Sequence, residues 1–146
     1  MKATKRGMKW HTFLIWYGLF FRAIREAWNG FVCMVSAFID DGMERTLPEK
    51  ATLIVFGLVL CFFAIYAVYT RFELARFRKR APLELTILTT MDFILRLASA
   101  FISMLVLHQS IAELITPLAF WKTFWPILCL LINHVYYKKR ADLFVH

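Results

Sequence analysis

Apolar residues fall into four long runs separated by short polar breaks, and no run alternates with a period of two. The runs cover about residues 10–39, 51–70, 83–107 and 116–137. As a helix, at about 1.5 Å per residue, each is long enough to cross a hydrocarbon layer of about 30 Å. A barrel strand requires the missing alternation, so the pattern predicts helices. The first run, about 45 Å long, must tilt or lay its Trp10–Tyr17 end along the interface.

Polar residues inside these runs are arranged by face. On a helical wheel Gly18, Arg22, Arg25, Glu26, Asn29, Cys33 and Ser36 share one side of the first run. Phe13, Phe20, Ile24, Ala27, Phe31, Met34 and Phe38 take the other. The third run repeats the arrangement with Thr89, Asp92, Arg96, Ser99 and Ser103. Asp92 and Arg96 stand four residues apart with the acid first, the favoured order for a pair along one helix; Arg22 and Glu26 have the reverse order. Arg22 and Arg96 each lie about 20 Å from the predicted inner edge. The first and third helices are predicted parallel, which lets the two stripes face one another at one level.

Energy favours that meeting. A mid-helix charge costs about 2.5–3.5 kcal/mol to insert, whereas each Leu, Ile or Phe returns only about 0.3–0.6. The expected feature is an intramembrane charged cluster of Arg22, Arg25, Glu26, Asp92 and Arg96, supported by Asn29, Ser99 and Ser103. Its formal sum of +1 leaves room for an anion, a lipid phosphate, water or a partner subunit's carboxylate. One reading makes the cluster structural glue, or lets Arg22 and Arg25 snorkel to the interface. The other makes it an anion or proton site of a small transporter or channel element. The second run has no charge, and its small residues Gly57, Cys61, Ala64 and Ala67 predict close helix packing. In the fourth run Pro126 is expected to kink the helix.

Composition and charge narrow the class. The chain has 146 residues, 60% of them hydrophobic, too many for a soluble domain of this size. Its net charge of +8 does not indicate nucleic acid, because Lys and Arg gather at the ends of the apolar runs. Twelve lie in the N-terminal tail, the loop after the second run and the C-terminal end, against two in the first loop. This predicts an all-α integral membrane four-helix bundle, a single domain in the plasma membrane with both termini cytoplasmic. The basic stretch with Arg71, Arg76, Arg78, Lys79 and Arg80 is expected to continue the second helix and lie on anionic headgroups. The N-terminal apolar run is too long for a signal peptide and is expected to stay as an anchor.

No catalytic signature emerges. There is no H-E-x-x-H, G-x-S-x-G, P-loop or dinucleotide fingerprint, and no C-x-x-C. Cys33, Cys61 and Cys129 stand in separate runs as packing residues, and His11 and His134 read as interfacial rather than as metal or haem ligands. No cofactor and no enzymatic activity are expected; a lipid-modifying site near His11 and His134 is the weakest alternative. The chain matches small multidrug-resistance transporters poorly, since Glu26 is flanked by two arginines.

A resemblance is carried by three short stretches. Met8-Lys9-Trp10 with Phe13-Leu14-Ile15, Tyr69-Thr70-Arg71-Phe72 with Leu74-Ala75, Phe77 and Pro82, and Asn133, Tyr136-Tyr137, Lys139-Arg140 and Leu143-Phe144 form the set. Together they resemble small four-helix integral membrane proteins of Gram-positive bacteria, to which no activity is attached. The resemblance implies the same architecture in a bacterial plasma membrane. This chain departs from the group at Arg22, Arg25 and Glu26, where the group's first helix is uncharged. The sequence thus points to an interaction or accessory membrane protein, with a membrane protein partner or a second copy as the expected company.

Overall fold

The computed structural model describes residues 8–39, 45–106 and 117–144. The predicted outer loops fall largely outside the described residues, as do Lys2, Lys5, Arg6 and His108. The described residues are all-helical, with no strand among them. The first run comprises helix α1 (Lys9–Phe13), a π-helical segment (Leu14–Gly18) and helix α2 (Leu19–Ser36). Helices α3 (Leu47–Ala75), α4 (Ala81–Val106) and α5 (Pro117–Lys138) follow, and a 3₁₀ turn (Ala141–Leu143) comes last. The chain divides into two compact units, one up to residue 78 and one from 79 to 145.

In the first unit α2 packs along α3 in antiparallel sense. Leu53, Phe56, Gly57, Leu60, Phe63, Ala64, Ala67, Thr70 and Leu74 form the buried stripe of α3, spaced three and four residues apart. The matching stripe of α2 is Leu19, Ala23, Glu26 and Gly30. The two backbones come closest where Gly30 meets Gly57. A methyl group built on either glycine would lie 2.6 Å from the other's carbonyl oxygen. Only glycine fits both positions, as in small-residue crossings of membrane helices. The small-residue stripe anticipated on this helix is therefore its packing face.

Helix α3 begins at Leu47, ahead of the expected start near Ala51, because Thr46 and Glu49 form a capping box. The Thr46 N–H donates to Glu49 Oε2 at 2.7 Å, and Pro48 sits in the first turn, where its missing N–H costs nothing. The helix ends at Ala75 rather than running on to Arg80. Phe77 takes a left-handed φ of 52°. This lets the Arg78 N–H reach Glu73 O and the Phe77 N–H reach Leu74 O, each at 3.1 Å, closing off the last carbonyls. Glycine usually fills such a position; here the Phe77 ring stacks on the buried His11 ring, with centroids 4.8 Å apart.

The π-helical segment widens one turn of the first helix, the Leu19 N–H bonding five residues back to Leu14 O. At that turn Ile15 O accepts a 2.8 Å hydrogen bond from Arg71 Nε of α3. The Arg71 guanidinium carbon also lies within 5.6 Å of the Trp16 and Phe72 ring centroids. Arg45 performs the corresponding task at the other end, where its Nη1 donates to Ser36 O at 2.8 Å and so caps α2.

In the second unit α4 packs on α5. The start of α4 lies beside the end of α5, so the pair is antiparallel. Pro126 lies inside α5 with its side chain fully buried. Beyond the 3₁₀ turn, Phe144 folds back edge-on to Tyr137, with ring centroids 5.4 Å apart. The hydroxyls of Thr86, Thr89 and Thr90 donate to carbonyls one turn back, so each is satisfied within its own helix.

Candidate functional site

The sequence places its unusual chemistry at mid-helix, and each unit contributes one ion pair there. On α2, Glu26 belongs to the buried stripe between Ala23 and Gly30, where its carboxylate is out of reach of water. Arg25, the next residue, folds back over it. Arg25 Nε donates to Glu26 Oε1 at 2.9 Å, and Arg25 Nη2 donates to the same oxygen. The Arg25 side chain remains 46% exposed. Arg22, one turn earlier and half-buried, has its guanidinium carbon 5.3 Å from the centroid of the Phe63 ring of α3. That geometry stabilises a cation against an aromatic face.

The face expected to turn inward therefore divides. Glu26 is buried, Arg22, Cys33 and Ser36 are half-buried, and Arg25 and Asn29 are exposed. The buried stripe set by Gly30 and Ala23 passes through Glu26, and Arg25 lies a third of a turn away from it. The opposite face is as expected, with Phe13, Phe20, Ile24 and Phe31 all exposed.

On α4, Asp92 is buried and pairs with Arg96 one turn on. Arg96 Nε and Nη2 both lie 3.4 Å from Asp92 Oδ2. This is the i,i+4 pair whose spacing the sequence displays, with the acid nearer the helix N-terminus. Thr89 is buried beside it in the stripe, Ser103 is half-buried, and Ser99 is exposed. Each acid thus has a guanidinium from its own helix, and each pair is formally neutral.

Two histidines fall within the described residues. His11 is buried against Phe77, and His134 is exposed on α5, where it lines a cleft of the second unit. Cys33, Cys61 and Cys129 are half-buried and take part in no disulfide. Among the described residues no group of three His, Cys, Asp or Glu side chains is placed to hold a metal ion.

Three structural residues escaped the sequence reading. Arg71 was counted among headgroup cations, yet its Nε is engaged at Ile15 O. Arg45 enters the sequence only as one of the two first-loop cations, and Phe77 only as a position that carries the resemblance. A basic residue shortly after a helix is a legible capping signal for Arg45, whereas nothing local marks the π-helical turn that Arg71 fills.

The exposed surface adds to the picture. Among the described residues two helices, Leu47–Ala75 and Ala81–Leu105, are long and apolar enough to cross a membrane. Of their most apolar stretches 39% and 22%, respectively, is buried. Comparisons with protein-family models, curated proteins and solved structures return no match for this chain.

Proposed function

We propose that this chain is a multi-pass integral membrane protein of the interaction or accessory type, whose mid-helix charges are neutralised by ion pairs within each helix so that the helices can pack in the apolar layer. One observation carries the reading: both buried acids, Glu26 and Asp92, are matched by a guanidinium from their own helix. A neutralised pair lowers the cost of placing charge in a hydrocarbon layer and needs no ligand. The outward belt of α3 supports the membrane setting. Val55, Leu58, Phe62, Ile65, Tyr69 and Phe72 are all exposed. They span about 26 Å along the axis, close to a hydrocarbon thickness of about 30 Å. The excess of Lys and Arg in the tail, central loop and C-terminal end supports cytoplasmic termini. The likeness to small four-helix proteins of Gram-positive bacteria supports a bacterial plasma membrane. In the same setting, exposed Arg25 and Asn29 interrupt an apolar surface of Phe21, Ile24, Trp28 and Phe31 and form a contact point for a partner helix.

A second reading, a small transporter or channel element using these acids, is favoured by the burial of both carboxylates within apolar helices. Asp92→Asn separates the two. Breaking a buried ion pair from one side costs about 3–5 kcal/mol, and removing both partners restores much of it. A structural pair therefore gives Asp92→Asn a lowered denaturation midpoint in detergent, rescued by adding Arg96→Gln. A transport site gives an intact fold and lost anion or proton flux in liposomes. An intact fold with unchanged flux refutes both.

A further inference from the structure

The second unit contains a cleft of about 410 Å³ where the start of α4 meets the end of α5, within the range of about 300–1,000 Å³ usual for small-molecule sites. Exposed Lys79 and Lys138 stand at its edge, and Asn133 and Tyr137, both buried, lie deeper. Leu83 and Phe144 supply apolar wall. From Pro82 to Thr86 the cleft follows α4 for about 6 Å. No carboxylate appears among its described lining residues.

On another side of α5 lies an apolar trough of about 470 Å³, formed by Leu131, Ile132, Val135 and Tyr136 and ended by Lys139 and Arg140. Arg140 is fixed there, its guanidinium carbon 3.9 Å from the Tyr136 ring centroid. Both hollows have cations at the same end of α5 and hydrocarbon along their length.

We propose that this end of the second unit is a binding site for an anionic glycerophospholipid, its phosphate held between Lys79 and Lys138 and its acyl chains lying along the apolar walls. This rests on the membrane reading above. The carbonyl end of α5 carries about half a negative charge, which by itself repels an anion. Lys138, Lys139 and Arg140 outweigh that charge at the helix end, and Lys79 adds a cation from the turn before α4. Free phosphate has no use for walls of Leu83 and Phe144. A zwitterionic headgroup brings its own ammonium among lysines that repel it. The chemistry selects a lipid with net negative charge, as basic pockets on the cytoplasmic side of membrane helices do.

The test uses the purified full chain, depleted of lipid in detergent and titrated while its thermal unfolding midpoint is followed. The probes are dihexanoyl phosphatidylglycerol, dihexanoyl phosphatidylcholine and sn-glycerol 3-phosphate. The phosphatidylglycerol is expected to raise the midpoint at concentrations at least about tenfold below the other two, a gap of about 1.4 kcal/mol. Replacing both lysines (Lys79→Gln, Lys138→Gln) is expected to weaken its binding roughly 30-fold. The charge-keeping pair Lys79→Arg, Lys138→Arg retains binding and guards against a folding defect. Arg76→Gln with Arg78→Gln removes the same charge outside the cleft and is expected to change affinity less than about threefold. Equal weakening by the two Gln pairs overturns the site in favour of diffuse attraction. Equal response to glycerol 3-phosphate overturns the lipid in favour of soluble phosphate, and equal response to phosphatidylcholine overturns the charge selectivity. The membrane reading fails separately, if wild-type protein is released from membranes by alkaline carbonate.

Discussion

Replacing Gly57 by alanine tests the closest approach in the structure. The added methyl lies 2.6 Å from Gly30 O, whereas ordinary contact begins near 3.4 Å, so α2 and α3 must part there by 0.8 Å. Met34 Cγ lies equally near and can turn aside, but the Gly30 oxygen is backbone and cannot. A gap of about 0.5–1 Å forfeits a quarter to a half of each dispersion contact across it. Leu53, Phe56, Leu60 and Phe63 lie on the affected face. Overpacking of this kind costs about 1–3 kcal/mol, and a rigid obstacle puts it near the top of that range. Alanine is about 1 kcal/mol better than glycine in a helix interior, which opposes the clash. The difference is a loss of about 2 kcal/mol. Gly30→Ala should cost a similar amount, and the double variant less than the sum, because helices already parted make room for the second methyl. Gly18→Ala is the control. Its methyl meets the Leu14 Cδ2 atom at 3.3 Å, a side chain that yields, so stability should be unchanged or raised. Helicity followed by circular dichroism during titration with SDS in mixed micelles measures all four. Gly57→Ala as stable as wild type, or indistinguishable from Gly18→Ala, refutes the crossing.

Phe77 holds a left-handed backbone at a cost of about 1–2 kcal/mol and recovers some of it by stacking on His11. Phe77→Gly relieves the strain while Phe77→Ala keeps it, so the alanine variant should be less stable than the glycine variant by about 1 kcal/mol and unfold at a lower denaturant concentration; equal midpoints would contradict the αL assignment. Arg71→Lys keeps the charge but loses the guanidinium that reaches Ile15 O. Amide hydrogen exchange across residues 14–20 should accelerate severalfold, and unchanged exchange would show that the contact does not hold the π-helical turn. Thr46→Ala removes the capping box at a cost of about 1 kcal/mol, read as faster exchange of the first-turn amides of α3 and no change in α5.

The helices were legible because apolar runs of membrane length leave few alternatives, and the small-residue face of α3 was legible from Gly57, Ala64 and Ala67 alone. The Asp92–Arg96 pair could be read from its spacing. The start of α3 was also written in the chain, as Thr46-x-x-Glu49 with Pro48 between, but a hydropathy boundary begins where charges stop and overlooks a polar cap. The rotation of α2 could not be read. A wheel averages over a wide arc, and the buried line is set by where Gly30 can approach Gly57, a contact between segments distant in sequence. For that reason Glu26 lies in the helix contact while Arg25 remains exposed. The partner of Glu26 was equally hidden: the i,i+4 rule names Arg22, whereas Arg25 reaches the carboxylate by folding back along the helix surface.

Taken with the membrane reading, these contacts imply that the first two helices insert as one object. The three mid-helix charges of α2 cost about 7.5–10.5 kcal/mol if each meets lipid alone, more than its apolar residues readily return. Helix α3 has no charged residue between Ala51 and Thr70, so in that setting nothing in it opposes insertion. What α2 lacks, α3 supplies through particular atoms: the Gly57 backbone at the crossing, the Phe63 ring near Arg22, and Arg71 at the widened turn. Arg45 then seals the far end of α2. A helix too polar to be stable alone thus acquires, in an uncharged antiparallel neighbour, the surface that makes its charges tolerable.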